Sequence, residues 1–334
     1  MKRLALWILA VLITLSAAVY QRLTGPTYPA TGQASIGDRV VKARLPRSAE
    51  NVADCEIMVR GTGPLEGYVE YMRYRTQDPW TRVPMDHKQG GLTASLPKQP
   101  AAGKLAYRVV LVRGEQEAAL NGETPIVIRF KGVVPPWILI PHVIVMFLAM
   151  LFSTLAGLTA YGRPKAWRKF KLGPGFILFV VGLGAAYAIF KTVGIPKIMG
   201  ANLLWLCIPV AIGLGGLLAA FPFNADHRGW AKATVLMLFV GGFILGPLVQ
   251  KFSFGMFWSG VPVGFDLTDN KTLIGLVVWL AVLFLMRKKR PARFATVAAA
   301  VILLVVYSIP HSVLGSEYDY TKATGGTAQT AVQK

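Results

Sequence analysis

The chain has 334 residues, of which 54% are hydrophobic and only 16% are charged. This balance is typical of a polytopic membrane protein and argues against a soluble enzyme. The formal net charge of +20 would suit a nucleic-acid-binding protein, but many of the basic residues form short clusters between apolar runs. Such clusters mark the cytoplasmic loops of membrane proteins. We therefore expect a lipid bilayer, and no nucleic acid, as the partner of this chain.

The N-terminus predicts a signal anchor over residues 1–24. Two basic residues precede an apolar run from Leu4 to Tyr20, and basic residues ahead of an apolar core place the N-terminus in the cytoplasm. The apolar run continues past the small residues 16–18, which favours a retained anchor over a cleaved signal peptide. In both cases the segment that follows is exported.

Residues 25–132 are polar and predict an extracytoplasmic β-sandwich. Apolar and polar residues alternate along several stretches, as expected for strands with one buried face and one wet face. Arg39–Leu45 alternates in part, and Gly67–Arg75 and Leu105–Val112 alternate more clearly. Pro125–Phe130 is the last predicted strand. Turns rich in glycine and proline separate them. The spacing predicts about seven short strands.

This region also resembles a known class of module. The stretches that carry the resemblance are Tyr71–Arg75, Trp80–Met85, Leu92–Pro97 and Leu105–Val109. Together they look like extracytoplasmic fibronectin type III or immunoglobulin-like modules. The resemblance covers about a third of the chain and implies the sandwich fold, with an extracytoplasmic protein as a candidate partner of residues 25–132.

The cysteines and the exported histidine carry little chemistry in sequence. Cys55 lies in the polar region and Cys207 in an apolar run, so the two are expected on opposite sides of a membrane interface, too far apart for a disulfide. Two unpaired thiols are the expected result. His87 lies in a predicted turn, where we expect it to be solvated, with metal binding as the alternative.

Residues 133–314 predict a six-helix membrane domain, followed by an extracytoplasmic polar tail at 315–334. A helix of about 20 residues crosses a hydrocarbon core about 30 Å thick. The predicted spans are 137–161, 175–192, 200–222, 233–250, 272–286 and 294–312. With the signal anchor, the fold class is a polytopic α-helical membrane protein of about seven spans with an inserted β-sandwich.

The loops between these spans predict the orientation. Basic residues cluster in three of them, at 163–171, 226–232 and 287–293, and all three fall on one side of the predicted topology. That side is cytoplasmic by the positive-inside rule. We expect a bacterial inner-membrane protein with its N-terminus in the cytoplasm and its β-domain and C-terminus outside.

The segment 252–272 joins two apolar runs and is rich in aromatic, glycine and aspartate residues. The predicted topology places it outside the membrane, at the level of His142 and His311, each of which occurs as Ile-Pro-His. An ionisable residue at membrane depth is a functional candidate, and imidazole is a common ligand of haem iron and other metals. His142 and His311 are therefore the candidate metal ligands.

The region 246–280 resembles the WWD domain of haem-handling proteins in cytochrome c assembly. The resemblance rests on Gly246–Gly260, Phe265–Thr272 and Leu273–Leu280. It implies bound haem b, with His142 and His311 as flanking ligands. The implied haem-contacting residues are Phe254, Trp258, Phe265, Asp266, Asp269 and Lys271. Departures from the family pattern include a single tryptophan in the loop and Asn270 where the family has proline.

The same segment has a purely structural interpretation. Thr268 or Asp269 can cap a helix that starts near Lys271, because a side-chain oxygen accepts the unpaired N–H groups of the first turn. Phe257 and Trp258 can be interfacial aromatics. The glycines can serve turns. Every residue then has a role without a ligand.

The sequence contains no P-loop, dinucleotide fingerprint, nucleophile elbow or His-Glu-x-x-His motif, which favours a non-enzymatic role. Three functions remain open. The first is haem binding or handling at the extracytoplasmic face. The second is a membrane anchor or scaffold whose β-sandwich recruits an extracytoplasmic partner. The third is lipid or solute handling, with the segment 252–272 as a lid.

Overall fold

The computed structural model describes residues 2–88, 90–162, 226–287, 292–311 and 317–320, together with positions 181, 185, 315, 332 and 333. The chain divides into two compact units. The helical unit comprises Met1–Tyr20, Pro135–Val249 and Asn270–Ile309, and the β-unit comprises Gln21–Val134, Gln250–Asp269 and Pro310–Lys334. The segment Gln250–Asp269 thus belongs to the same unit as the strands.

Eleven strands lie within the described part of residues 30–131, and two short strands follow near the C-terminus. They are β1 (Ala30–Ile36), β2 (Arg39–Leu45), β3 (Ser48–Glu50), β4 (Cys55–Arg60), β5 (Glu66–Arg73), β6 (Thr81–Pro84), β7 (Asp86–Lys88), β8 (Gly91–Leu96), β9 (Lys104–Arg113), β10 (Gln116–Ala119), β11 (Ile126–Lys131), β12 (Glu317–Tyr318) and β13 (Val332–Gln333).

The strands of residues 30–131 form three sheets. The largest runs in the order β3-β11-β9-β5-β6, with β10 also paired to β9; a second sheet has the order β4-β8-β7; and β1 pairs with β2. All pairings are antiparallel except that of β11 with β3. Strand β9 lies inside the largest sheet, so most of its residues are buried on both faces.

One apolar core is shared by the three sheets. Leu45 from β2, Ile57 from β4 and Tyr107 from β9 all have no exposed surface. The Tyr107 hydroxyl donates to the carbonyl oxygen of Pro46 at 2.8 Å, which satisfies its only buried polar group. The alternation in the sequence therefore predicts correctly which faces of these strands are buried.

The predicted strands are confirmed where alternation is strong, and Arg39–Leu45 is observed with the predicted limits. The predicted number of about seven is too low. The additional strands, such as β3 and β7, have three residues each and are too short to show a period of two. His87 lies in β7 and is exposed, so its predicted place in a turn is wrong.

The described helices are α1 (Lys2–Thr24), α2 (Pro136–Gly162), α3 (His227–Leu238), α4 (Gly246–Phe254), α5 (Leu267–Arg287) and α6 (Arg293–Ser308), with a π-helical stretch at Phe239–Leu245 between α3 and α4. Within the described part of the chain, four helical stretches are long and apolar enough to cross a membrane. These are Leu4–Thr24, Pro136–Gly162, the continuous His227–Phe254 and Leu267–Arg287.

The membrane-length helices agree with several of the predicted spans. The predicted spans 137–161, 233–250 and 272–286 lie within such helices. The predicted span 200–222 and Cys207 lie outside the described residues, as does the span 175–192 apart from positions 181 and 185. Helix α6 has 16 residues and ends at Ser308, so the predicted last span 294–312 is too long.

Aromatic rings fill the core of the helical unit. Trp230 of α3 stacks on Phe152 of α2 with ring centroids 5.3 Å apart, and Trp7 of α1 meets Trp230 edge-on at 5.4 Å. Both geometries are favourable for aromatic pairs. Contacts between these rings therefore hold helices α1, α2 and α3 together. The sequence places each ring in an apolar run but does not show which other ring it contacts.

Candidate functional site

The candidate site is the segment Gln250–Asp269 of the β-unit, and its central group is the buried carboxylate of Asp269. One oxygen, Oδ2, accepts hydrogen bonds from Ser259 N at 2.6 Å, from Ser259 Oγ at 3.1 Å and from Gly260 N at 3.1 Å. Gln250 Nε2 donates to the same oxygen at 3.1 Å. Four donors on one buried carboxylate oxygen make Asp269 the internal anchor of the segment.

Gln250 and Ser259 complete this polar clip. Gln250 lies in α4, and its amide also donates to Ser259 Oγ. Both side chains are buried. The clip joins the end of α4, the middle of the loop and the first turn of α5, so it closes the loop on itself. Buried polar groups are expected to be paired in this way.

Asp266 performs the capping that the sequence assigned to Thr268 or Asp269. Its Oδ1 accepts from Thr268 N at 2.8 Å, and helix α5 begins at Leu267, five residues earlier than predicted. A carboxylate at this position satisfies an N–H of the first turn. The backbone N–H of Asp266 donates to Ser259 O at 3.0 Å.

Arg129 of β11 holds the segment against the strands. Its guanidinium carbon lies 4.1 Å from the centroid of the Phe254 ring, and only 6% of the residue is exposed. Burial lowers the pKa of Arg129 to about 10, an effect opposed by the charges of Asp266 and Glu317. A buried cation over an aromatic face is the favourable form of the cation–π contact.

A backbone contact lies beside this ring. Gly132 N donates to Ser253 O at 2.9 Å. A Cβ at position 132 would lie 2.1 Å from the carbonyl oxygen of Phe252. Only glycine permits this approach of two backbones.

The aromatic residues of the segment differ in exposure. Trp258 Nε1 donates to Val261 O at 3.1 Å, and Phe254 packs under Arg129. Phe265 is 82% exposed and Phe257 is 54% exposed. Of the three rings assigned to haem stacking, Phe265 is the one whose face is open, while Trp258 and Phe254 have contacts inside the β-unit.

Lys271 is buried in the first turns of α5. Its Nζ donates to the carbonyl oxygen of Ile309 at 2.6 Å. Ile309 is the C-terminal cap of α6, where helix carbonyls carry partial negative charge and favour a cation. Lys271 thus ties two helices of the helical unit together.

His142 lies in α2 and contacts the π-helical stretch. Its Nδ1 is 3.0 Å from Gly241 O, and a carbonyl only accepts, so the proton lies on Nδ1. Gly241 O also accepts the backbone N–H of Gly246, the bond that defines a π-helical turn. A Cβ at Gly241 would lie 2.6 Å from the sulfur of Met146. The imidazole therefore bonds a carbonyl of another helix and not one freed by Pro141 in its own helix.

His311 follows the end of α6 and is exposed in a turn of the β-unit, whereas His142 belongs to the helical unit. Among the described residues there is no group of three or more histidine, cysteine, aspartate or glutamate residues that could hold a metal ion. Cys55 is a half-buried free thiol, and burial raises its pKa.

The structure joins Asp266 and Asp269 through Ser259, and it joins Phe254 to Arg129. Three important residues, Arg129, Gln250 and Ser259, had no place in the sequence-based site. Arg129 carried a signal: it is the only charge inside the apolar run Ile126–Phe130, and a charge at such a position needs a partner. Comparison with known proteins finds no matching family model, no matching curated protein and no matching solved structure.

Proposed function

We propose that the protein is a non-enzymatic membrane anchor whose β-unit, built as a β-sandwich, recruits a protein partner outside the membrane. The observation that carries this proposal is the use of the polar groups of the segment Gln250–Asp269. The Asp269 carboxylate, the Gln250 amide and the Ser259 hydroxyl bond one another. Polar groups that bond one another stabilise the fold of the segment. They leave few hydrogen-bonding positions for a cofactor.

The connectivity of the chain supports the same function. The chain passes between the helical unit and the β-unit at five places, after Tyr20, Val134, Val249, Asp269 and Ile309. A single linker would suffice to tether an exported domain. Five connections are a feature of a binding module that is built into its membrane anchor.

The position of the module follows from charge. The basic clusters at 163–171, 226–232 and 287–293 favour a cytoplasmic location for those loops. The proposal therefore has about seven spans, a cytoplasmic N-terminus, and the β-unit and C-terminus on the outer side of a bacterial inner membrane.

Crosslinking of the full chain in native membranes tests this function. A lysine-reactive reagent should join exposed lysines of the β-unit, such as Lys42 and Lys98, to one other protein, whereas Lys232 of α3 should give no adduct with it. The adduct should form saturably when the purified partner is added to the purified chain. Crosslinks confined to the chain itself would overturn the proposal.

Haem handling is a second candidate, and one observation favours it. The rings of Phe257 and Phe265 are exposed, and exposed aromatic faces offer stacking surface to a planar ligand. In this candidate the chain binds haem b through His142 and His311, and loss of either imidazole removes the haem absorbance band.

A further inference from the structure

The second segment held by the β-unit is Glu317–Tyr320, here called the tail segment. It lies against the turn before β9 and the end of β5. The residues that receive it, here called the tail slot, are Arg73, Arg75, Gln99, Gly103 and Lys104. The sequence suggested no role for either part, and the clip around Asp269 does not use them.

Glu317 is recognised by two cations. Its Oε2 accepts from Arg75 Nη1 at 3.0 Å, and its Oε1 accepts from Lys104 Nζ at 2.5 Å. Only 13% of the Lys104 side chain is exposed. Burial lowers the pKa of Lys104, and the Glu317 carboxylate opposes that shift. The slot therefore selects a carboxylate at this position, because a half-buried ammonium needs a counter-charge.

Tyr320 fills the other end of the slot. Its hydroxyl accepts from Lys104 N at 3.0 Å and lies 3.0 Å from Gln99 Oε1 and 3.1 Å from Lys104 O. The Arg73 guanidinium carbon lies 5.2 Å from the ring centroid. A Cβ at Gly103 would lie 2.9 Å from the hydroxyl. The slot thus combines a ring site with donors and acceptors at the phenol oxygen, which distinguishes tyrosine from phenylalanine.

The backbone contributes an anchor between the two side chains. Tyr318 N donates to Ala102 O at 3.2 Å. Residues 317 and 318 are extended and pair with β13. The contacts to the slot are thus made mainly by two side chains three positions apart on a short segment of which only the first two residues are extended. Another segment with the same two side chains can make the same contacts.

We propose that the tail slot is a peptide-recognition site for a short protein segment with the pattern Glu-x-x-Tyr, and that the tail segment occupies it as an internal competitor. This inference rests on the proposed function and names the chemistry of the partner. Arg73 is paired with Asp78 at 2.5 Å, whereas Arg75 and Lys104 both contact the carboxylate of the tail segment. These two cations fit an acidic side chain in the partner segment.

The strength of the internal contact suits exchange. The Arg75 side chain is 68% exposed, and an exposed ion pair adds little stability because water screens it. A tethered segment gains from an effective concentration on the order of millimolar. A partner segment with the same two side chains and further contacts elsewhere on the β-unit can displace it.

Peptide binding to the full chain in detergent tests the proposal. The probe is a fluorescein-labelled peptide with the sequence of residues 315–322, Gly-Ser-Glu-Tyr-Asp-Tyr-Thr-Lys. Glu317→Ala with Tyr320→Ala vacates the slot. By fluorescence anisotropy the vacated chain should bind the peptide at least about tenfold more tightly than the wild type. Adding Lys104→Met should weaken binding by at least about tenfold, and Lys42→Met, an exposed control on β2, should leave it unchanged.

One further peptide, with both recognised side chains changed, sharpens the result. A peptide with Gln for Glu and Phe for Tyr should bind at least about tenfold more weakly than the parent peptide. If the vacated chain misfolds by circular dichroism, Tyr320→Phe serves as the milder vacating variant. Binding that is equal in wild-type and vacated chains, or unaffected by Lys104→Met, would overturn the proposal.

Mixing the wild type with the vacated chain separates two kinds of occupant. If the two chains associate and the association depends on the tail segment, the slot binds a second copy of this chain. That result would overturn the proposal that a separate partner protein occupies it. Crosslinks from Lys42 to a partner, together with no peptide binding in the slot, would overturn this inference and leave the proposed function standing.

Discussion

Single buried charges decide how the β-unit is held together. Asp269 accepts four hydrogen bonds at one oxygen, and Arg129 covers the ring of Phe254. Each is more than 90% buried. A buried charge that loses its partners is strongly unfavourable. Even conservative substitutions of Asp269 or Arg129 should therefore destabilise the structure around them.

Asp269→Asn should loosen the segment Gln250–Asp269. The oxygen of the neutral amide accepts hydrogen bonds more weakly than a carboxylate oxygen does. Its NH₂ group cannot accept at all, so wherever it faces one of the four donors it leaves that donor without an acceptor. We expect loss of about 1–3 kcal/mol of local opening free energy, measured by hydrogen–deuterium exchange of peptides spanning 255–266. Asp86→Asn is the matched control, because Asp86 is exposed with one ion pair at 3.9 Å. Equal protection in both variants would show that the clip contributes nothing.

Arg129 and Phe254 should be energetically coupled. A double-mutant cycle with Arg129→Lys and Phe254→Leu should give a coupling energy of about 0.5–2 kcal/mol in the same exchange measurement. The half-exposed pair Arg108 and Trp80, 4.6 Å apart, provides the comparison and should couple more weakly. Additive effects at Arg129 and Phe254 would contradict the role of this contact.

At the scale of elements, short polar contacts fix where helices begin and meet. Asp266 starts α5, Lys271 bonds the end of α6, and His142 bonds the π-helical stretch between α3 and α4. In the π-helical stretch Gly241 O accepts the backbone N–H of Gly246. The same oxygen lies within hydrogen-bonding distance of the His142 imidazole.

Two substitutions of His142 separate a structural role from a ligand role. Gln can still donate to Gly241 O, whereas Leu cannot. We expect His142→Gln to unfold thermally like the wild type and His142→Leu to lose about 0.5–1.5 kcal/mol. Comparable losses in both variants would show that the hydrogen bond is not what the imidazole contributes.

The stability that the tail segment contributes should depend on pH because Tyr320 titrates. Burial raises the pKa of Tyr320 to about 12 from an ordinary value of 10.0. A raised folded-state pKa gives stability that is complete below pH 10 and is lost as pH rises toward 12. The stability difference between wild type and Tyr320→Phe should therefore be constant from pH 7 to 9 and shrink above pH 10.

Thermal unfolding of both chains across this range measures that difference. Burial lowers the pKa of Lys104, which acts in the opposite direction, but Lys104 is present in both chains and its contribution cancels in the difference. A difference that stays constant to pH 11.5 would show that the Tyr320 hydroxyl is not held by the slot.

At the scale of the whole molecule, the sequence predicted what depends on local pattern. Helix α2 and strand β2 were found because apolar periodicity extends over enough residues to show. The start of α5 was missed because Asp266, Thr268 and Asp269 are all of capping residue types, and the sequence does not show which one makes the hydrogen bond. The end of α6 was missed because the carbonyl of Ile309 is bonded by Lys271, 38 residues away.

The candidate site shows the same division. The segment around Asp269 could be recognised by its composition, but its partners Gln250 and Ser259 and the contact with Arg129 depend on tertiary structure. The tail slot left no local signal either, since Lys104 and Glu317 are separated by more than 200 residues. Pairing across such distances cannot be inferred from one sequence by spacing alone.

The central claim is that the segment Gln250–Asp269 is a structural part of a binding module and not a cradle for haem. Hemin titration of the purified full chain, followed by absorbance, tests it most directly. We predict no saturable Soret shift, and identical spectra for wild type, His142→Gln and His311→Gln. A saturable band at one equivalent of hemin that either substitution abolishes would show that the chain binds haem through that histidine.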